Sequence, residues 1–141
     1  MINSKDLDFS FSGLKTAVLY KIKAEGREDE KFKEEIARAF EDAAIEVLIE
    51  KTRKALNQLG DKVRSLIVAG GVSANKHLSR ELCKLKEEFP ELILQIPEIL
   101  MTTDNAIMIG IAGFIRATHN PEILTNEMPI RARGNLSISS V

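Results

Sequence analysis

Residues 67–78 read IVAGGVSANKHL. A buried-strand pattern, VRSLIVA from Val63 to Ala69, is broken by Gly70 and Gly71. A helical pattern then runs from about Ala74 to Glu88, with Leu78, Leu82 and Leu85 three and four residues apart. Pro90 stops that helix, and Leu92 to Ile96 reads as a second, short strand closed by Pro97. Two strands joined by a helix are expected to be parallel. This β–Gly–Gly–α–β unit sets the fold class as α/β.

Around it the chain is rich in helix. One helix is expected from near Leu14 to Gly26, a residue suited to a helix C-terminus. A longer one spans roughly Asp29 to Leu59 and ends at Gly60. Its apolar residues Ala43, Ala44, Ile45, Val47, Leu48 and Ile49 surround most of the circumference, which predicts burial on more than one side. A third core helix is expected over about Thr103 to Ala117, with Gly110 and Gly113 leaving room for close packing. The charged run Lys84 to Glu88 reads as a solvated face and Cys83 as a packed thiol. Met101 and Met108 read as core or core-edge residues. Two strands are too few for these apolar surfaces, so further strands are expected in missing chain or in another subunit.

Composition narrows the function. The 141 residues hold 20 Lys and Arg against 21 Asp and Glu, a formal charge of −1, and 44% are hydrophobic. That is the profile of a folded domain and not of a disordered tail. The length suits one domain and is short for a two-lobed enzyme. No uncharged run is longer than that from Asn105 to Ile115, which is too short to span a membrane, and the first ten residues lack a signal-peptide core. The expected location is the cytoplasm. A single cysteine excludes an internal disulfide and a Cys-rich zinc site. Even charge over both halves means that any nucleic-acid contact must come from a local patch. Arg131 and Arg133 are thin candidates for it.

Three stretches could carry chemistry. At Gly70-Gly71 the backbone can approach a ligand, and the following helix N-terminus offers unsatisfied N–H groups that suit a phosphate or nucleotide. Ser73 is the expected N-cap. A tight βα turn with glycines for steric reasons alone is the competing account. In MTTDNAIM (101–108), Asp104 stands at a helix start, either as a capping acid or as a metal ligand or base at a strand's C-terminal edge. In DFSFSGLKT (8–16), Phe9 and Phe11 are expected to anchor in a core, while Ser10, Ser12 and Lys15 could face a ligand, a structural turn being the competing account. His77 and His119 form no H-x-x-x-H pair and read as surface or packing residues.

Taken in order, DFSFSGLKT (8–16), AGGVSANKHL (69–78) and TDNAIMIGIAG (103–113) resemble the C-terminal part of the TsaD family, also called Gcp. These are tRNA threonylcarbamoyladenosine transferases, formerly described as O-sialoglycoprotein endopeptidases. The resemblance covers roughly residues 6–118 and leans toward the bacterial form. It implies an actin-like ATPase (RNase H-like) lobe, here with an incomplete sheet. It further implies transfer of threonylcarbamoyl from threonylcarbamoyl-adenylate to the N6 amine of the adenosine beside the anticodon of tRNA. By motif match, Gly70, Gly71 and Asn75 would contact the nucleotide part, and Asp104 would ligate one divalent metal, iron or zinc. Ser12 and Lys15 remain candidate cleft residues. Expected partners are tRNA and, in bacteria, a TsaB-like paralogue and a TsaE-like ATPase. No membrane is implied.

The family's H-x-x-x-H metal ligands and its Ser-Gly-Gly substrate loop have no counterpart here. Residues 1–141 are therefore expected to form a single C-terminal lobe with the N-terminal lobe absent, inactive alone and prone to self-association through uncovered apolar faces. The alternative is a noncatalytic actin-like module that holds a nucleotide or a protein. The peptidase label finds no H-E-x-x-H motif or Ser/His/Asp set to support it.

Overall fold

The computed structural model describes residues 2, 4 and 6–125. Arg131 and Arg133 lie outside them. The chain divides into two compact units, one ending at Thr103 and one beginning at Asp104. The first carries helices α1 (Ser12–Glu25), α2 (Glu30–Leu59) and α3 (Lys76–Glu87) and strands β1 (Ser65–Ile67) and β2 (Ile93–Gln95). The second carries α4 (Ala106–His119) and the 3-10 turn Pro121–Leu124. The protein is a mostly helical α/β chain with a small parallel two-stranded sheet.

Helix boundaries follow local chemistry. Gly26 closes α1 in the left-handed region (φ 59°), its N–H bonded to the Ile22 carbonyl. The Asp29 carboxylate caps α2 by accepting from Phe32 N at 3.0 Å. Arg27 bonds the same carboxylate and stacks its guanidinium 4.9 Å from the Phe32 ring centre. Gly13 lies inside the first turn of α1.

The core is a seam between α2 and α3. Ile45, Ile49 and Leu56 of α2 meet Leu78, Leu82 and Leu85 of α3, with Leu92 closing one end. Leu66 and Leu94 pack onto it from the sheet. The strands pair in register, Leu66 opposite Leu94, joined by the α3 crossover. Each strand has three residues, fewer than its apolar run predicts. Within each three-residue strand only the central side chain turns to the core, and Ile67 and Ile93 face outward, 69% and 57% exposed. Burial of α2 on several sides is realised only in part: Ile45 and Ile49 are buried, whereas Ala43, Ala44 and Val47 are half-buried.

Several side chains depart from expectation. Helix α4 buries none of its residues, and nothing lies within 4 Å of a Cβ built on Gly110 or Gly113. Its apolar sequence therefore finds no cover among the described residues. Met101 and Met108 are exposed, as is Phe9, while Phe11 is half-buried. Cys83 is exposed because Leu82 and Leu85 take the core side of α3. Within the run Lys84 to Glu88, Leu85 is the most deeply buried residue of the core, so only its charged neighbours form an outer face.

One buried charge ties the amino-terminal segment down. Lys51, 3% exposed, donates to Ser4 Oγ at 2.8 Å, Asp6 Oδ1 at 3.0 Å and the Asp6 carbonyl at 3.1 Å. A buried ammonium needs such acceptors, since leaving it bare costs several kcal/mol. Lys54 reaches the Ser4 carbonyl beside it. The clasp pins the chain just ahead of DFSFSGLKT to α2.

Two outcomes are expected. Leu85→Ala should destabilise the chain by about 2–5 kcal/mol, the usual cost of a buried Leu cavity, read from urea unfolding. The Lys51 hydrogen bond, aided by Ser4, lowers the Asp6 pKa to about 2. A carboxyl depressed in the folded state stabilises above its unfolded pKa of about 3.9 and loses that contribution as pH falls toward the folded value. Between those pH values the wild-type chain should lose more stability than Asp6→Asn, in parallel acid-unfolding series.

Candidate functional site

The glycine turn begins where β1 ends. Gly70 adopts φ 90°, ψ 168°, a region essentially reserved for glycine. Residues Gly71–Ala74 then form a 3-10 turn. Ser73, expected to cap the helix, is instead buried inside the turn. Its hydroxyl donates to the Gly70 carbonyl at 2.6 Å and its N–H donates to the same oxygen at 3.0 Å. Ser73 closes the loop, and α3 starts three residues later, at Lys76.

Asn75 is the N-cap. It holds an extended backbone (φ −68°, ψ 118°), and its Oδ1 accepts from Leu78 N at 2.9 Å. Its Nδ2 donates to Glu41 Oε1 of α2 at 2.7 Å. The Glu41 carboxyl is held below the usual carboxylate range, chiefly by that bond and then by His77. His77 is half-buried among acids, with Nδ1 3.4 Å from Asp42 and 3.6 Å from Glu41, and Nε2 3.8 Å from Glu81. Glu41, Asp42 and His77, with Arg38 and Arg80, line an open polar groove of about 730 Å³.

The two glycines have different reasons. Gly70 is required by its backbone angle. Gly71 has no positive φ, is exposed, and has no atom within 4 Å of the place a Cβ would take. Tight-turn sterics therefore account for Gly70 and leave Gly71 unexplained among the described residues.

Gly70, Gly71 and Asn75 thus share one turn. Ser12 and Lys15 are exposed on the first turn of α1, where the Ser12 carbonyl accepts from Thr16 Oγ1 and the Lys15 N–H donates to the Phe11 carbonyl. Asp104 belongs to the second unit and is exposed. It is not the cap of α4: Asn105 Oδ1 accepts from Met108 N at 3.0 Å and does that work. His119 is exposed at the last turn of α4, with Nδ1 2.9 Å from the Ile115 carbonyl. Among the described residues no group of three or more His, Cys, Asp or Glu side chains is arranged to hold a metal ion. A protein zinc site takes three or four such ligands, so these residues do not by themselves fit a resident metal.

Glu41 escaped the sequence reading. It lies 34 residues from Asn75 in an unremarkable charged turn of α2, and only the packing of α2 on α3 brings them together.

Structurally this is a glycine turn and capped helix at the carboxyl end of a parallel strand, where ligands of open α/β sheets collect. The family follows from comparison with known proteins. Residues 1–111 match the model of TsaD, tRNA N6-adenosine threonylcarbamoyltransferase. An enzyme of that name from Burkholderia vietnamiensis is 39% identical over 100% of this chain and 42% of its own length. Those of Thermosipho melanesiensis and Thermosipho africanus are 41% and 45% identical, over 92% and 81% of this chain and 38% and 33% of their own lengths. The chain belongs to the TsaD family and spans about two fifths or less of these relatives. No described helix is long and apolar enough to cross a membrane.

The glycines separate in mutagenesis. Gly70→Ala should destabilise the chain by about 1–3 kcal/mol through backbone strain, whereas Gly71→Ala should leave its unfolding midpoint nearly unchanged. Thermal unfolding of the two variants side by side checks this.

Proposed function

We propose that the chain supplies the C-terminal, actin-like lobe of a tRNA N6-adenosine threonylcarbamoyltransferase, and that its glycine turn holds the nucleotide part of threonylcarbamoyl-adenylate. The observation that supports this most is the Gly70–Asn75 turn, in which a glycine in a glycine-only conformation, an open glycine and a doubly hydrogen-bonded asparagine meet a helix N-terminus. Open space over Gly71 lets the ligand's flat or phosphorylated surface come close to backbone. The free N–H and lone pair of Asn75 then orient the adenosine part.

The reaction needs little covalent help from these residues. The N6 amine of the tRNA adenosine attacks the threonylcarbamoyl carbonyl carbon, the new C–N bond forms, and the mixed-anhydride C–O bond breaks. Adenylate leaves, and the amine nitrogen gives up a proton. The turn contributes by fixing the leaving group, so the carbonyl is presented at a constant distance and angle to the amine. Ser12, Lys15 and Asp104 are proposed as further cleft residues of this lobe. The remaining metal ligands and substrate loops, and the surfaces for TsaB-like and TsaE-like partners, would come from chain outside these 141 residues. The same reading makes the isolated polypeptide inactive and leaves its outward sheet face and α4 available for self-association.

The test is a chimera. The matching segment of the Thermosipho africanus relative is replaced by this chain, and modified adenosine is measured in its tRNA substrate. The chimera should modify tRNA, its Asn75→Ala version should lose about tenfold or more in rate through misplacement of the substrate, and the 141-residue chain alone should do nothing. A folded chimera without activity, or modification by the chain alone, overturns the reading.

A further inference from the structure

We propose that Glu41 is the positioning residue of the nucleotide turn: through its carboxylate it sets the orientation of the Asn75 carboxamide that meets the ligand. The proposal rests on the reading of Asn75 as a nucleotide contact and adds a residue from a different helix to it.

The carboxamide offers two N–H donors and two acceptor lone pairs. One lone pair is taken by Leu78 N at 2.9 Å and one N–H by Glu41 Oε1 at 2.7 Å. The two partners are of opposite kind. Leu78 presents an N–H and Glu41 presents a carboxylate oxygen. Turning the amide over would set N–H against N–H and oxygen against carboxylate, so only one orientation satisfies both. What remains for a ligand is a single donor and a single acceptor in fixed directions. The Leu78 bond alone cannot achieve this, since it leaves rotation about the capping bond open. Glu41 removes that freedom before any ligand arrives, and preorganisation of this sort is expressed as affinity.

Glu41 is itself well placed for the task. It lies one turn before Ile45 on the face of α2 that packs against α3, and Ile45 belongs to the core that also holds Leu78. Its second oxygen stands 3.6 Å from His77 Nδ1. The cap bond to Leu78 does not involve Glu41, so removing the carboxylate leaves the helix start intact.

The experiment uses the 15N-labelled 141-residue chain, titrated with ADP and followed by NMR, in wild-type, E41A, E41Q, N75A and E41A/N75A forms. The Asn75 side-chain NH2 pair should move on E41A while the Leu78 backbone signal stays in place. ADP affinity should fall about five- to tenfold in E41A, the scale of one lost hydrogen bond, and E41Q should restore it to within about twofold because its amide oxygen still accepts from Nδ2. E41A/N75A should bind no more weakly than N75A, because both changes break one interaction. A purely structural tie would lower stability in E41A without changing the ADP affinity of the folded fraction. An Asn75 signal that ignores E41A, or losses that add in the double variant, overturns the proposal. If E41A does not fold, E41Q decides: an affinity as low as that of N75A overturns it. If the wild-type chain gives no ADP response, the nucleotide reading of the turn falls, and the Asn75 signal alone then upholds or overturns the positioning claim.

Discussion

The seam of Ile45, Ile49 and Leu56 against Leu78, Leu82 and Leu85 is the contact on which the rest depends. It holds α2 and α3 side by side, and two polar ties mark its ends. Asn75 bonds Glu41 at one end, and the Arg53 guanidinium grips both oxygens of Glu88 at 2.8 Å at the other. Twelve residues separate the two partners on α2 and thirteen on the α3 side, about 18–20 Å in each case at helical rise. The earlier residue of each helix pairs with the earlier of the other and the later with the later, so the helices run in the same direction, as expected when β1 lies between them in sequence and a single strand turns the chain back. The glycine turn sits at the end where β1 feeds α3. Core packing therefore decides which α2 residue meets the cap of α3.

The same seam explains why the Lys51 clasp matters. Lys51 follows Ile49 on α2 and reaches away from the core to Ser4 and Asp6. A rigid α2 thus organises both sequence motifs of the first unit: the segment ahead of DFSFSGLKT through Lys51, and the glycine turn through Glu41. Nothing in the spacing of these motifs along the chain says that one helix serves both.

Much of the fold was legible because it follows from short-range rules. The Leu78, Leu82, Leu85 spacing, the glycines at 26 and 60, and the strand–glycine–helix order lead to α3, to the ends of α1 and α2, and to the parallel pairing. The capping residues were harder. Ser73 and Asn75 are both good N-caps by type, and which one serves depends on where the 3-10 turn after Gly70 stops. The apolar pattern of α4 reads as core in any sequence-based account, yet none of its residues is buried, because burial needs a partner surface and periodicity states only the demand for one. Cys83 is exposed for a different reason: residue type gives only an average tendency, and Leu82 and Leu85 take the core side of α3, whereas Met108 is exposed along with the rest of α4.

By itself, the sequence determined the α/β class, the position of the glycine turn and, through three ordered motifs, the family. Those properties reside in local backbone preference and in residues adjacent along the chain. Only the tertiary structure decided that Gly70 is constrained while Gly71 is open, that Asn75 and not Ser73 caps α3, and that Glu41 accepts a hydrogen bond from it. The reason is that each depends on a dihedral angle or on a contact across dozens of residues, and such contacts exist only once the leucine and isoleucine side chains of α2 and α3 have been taken out of water.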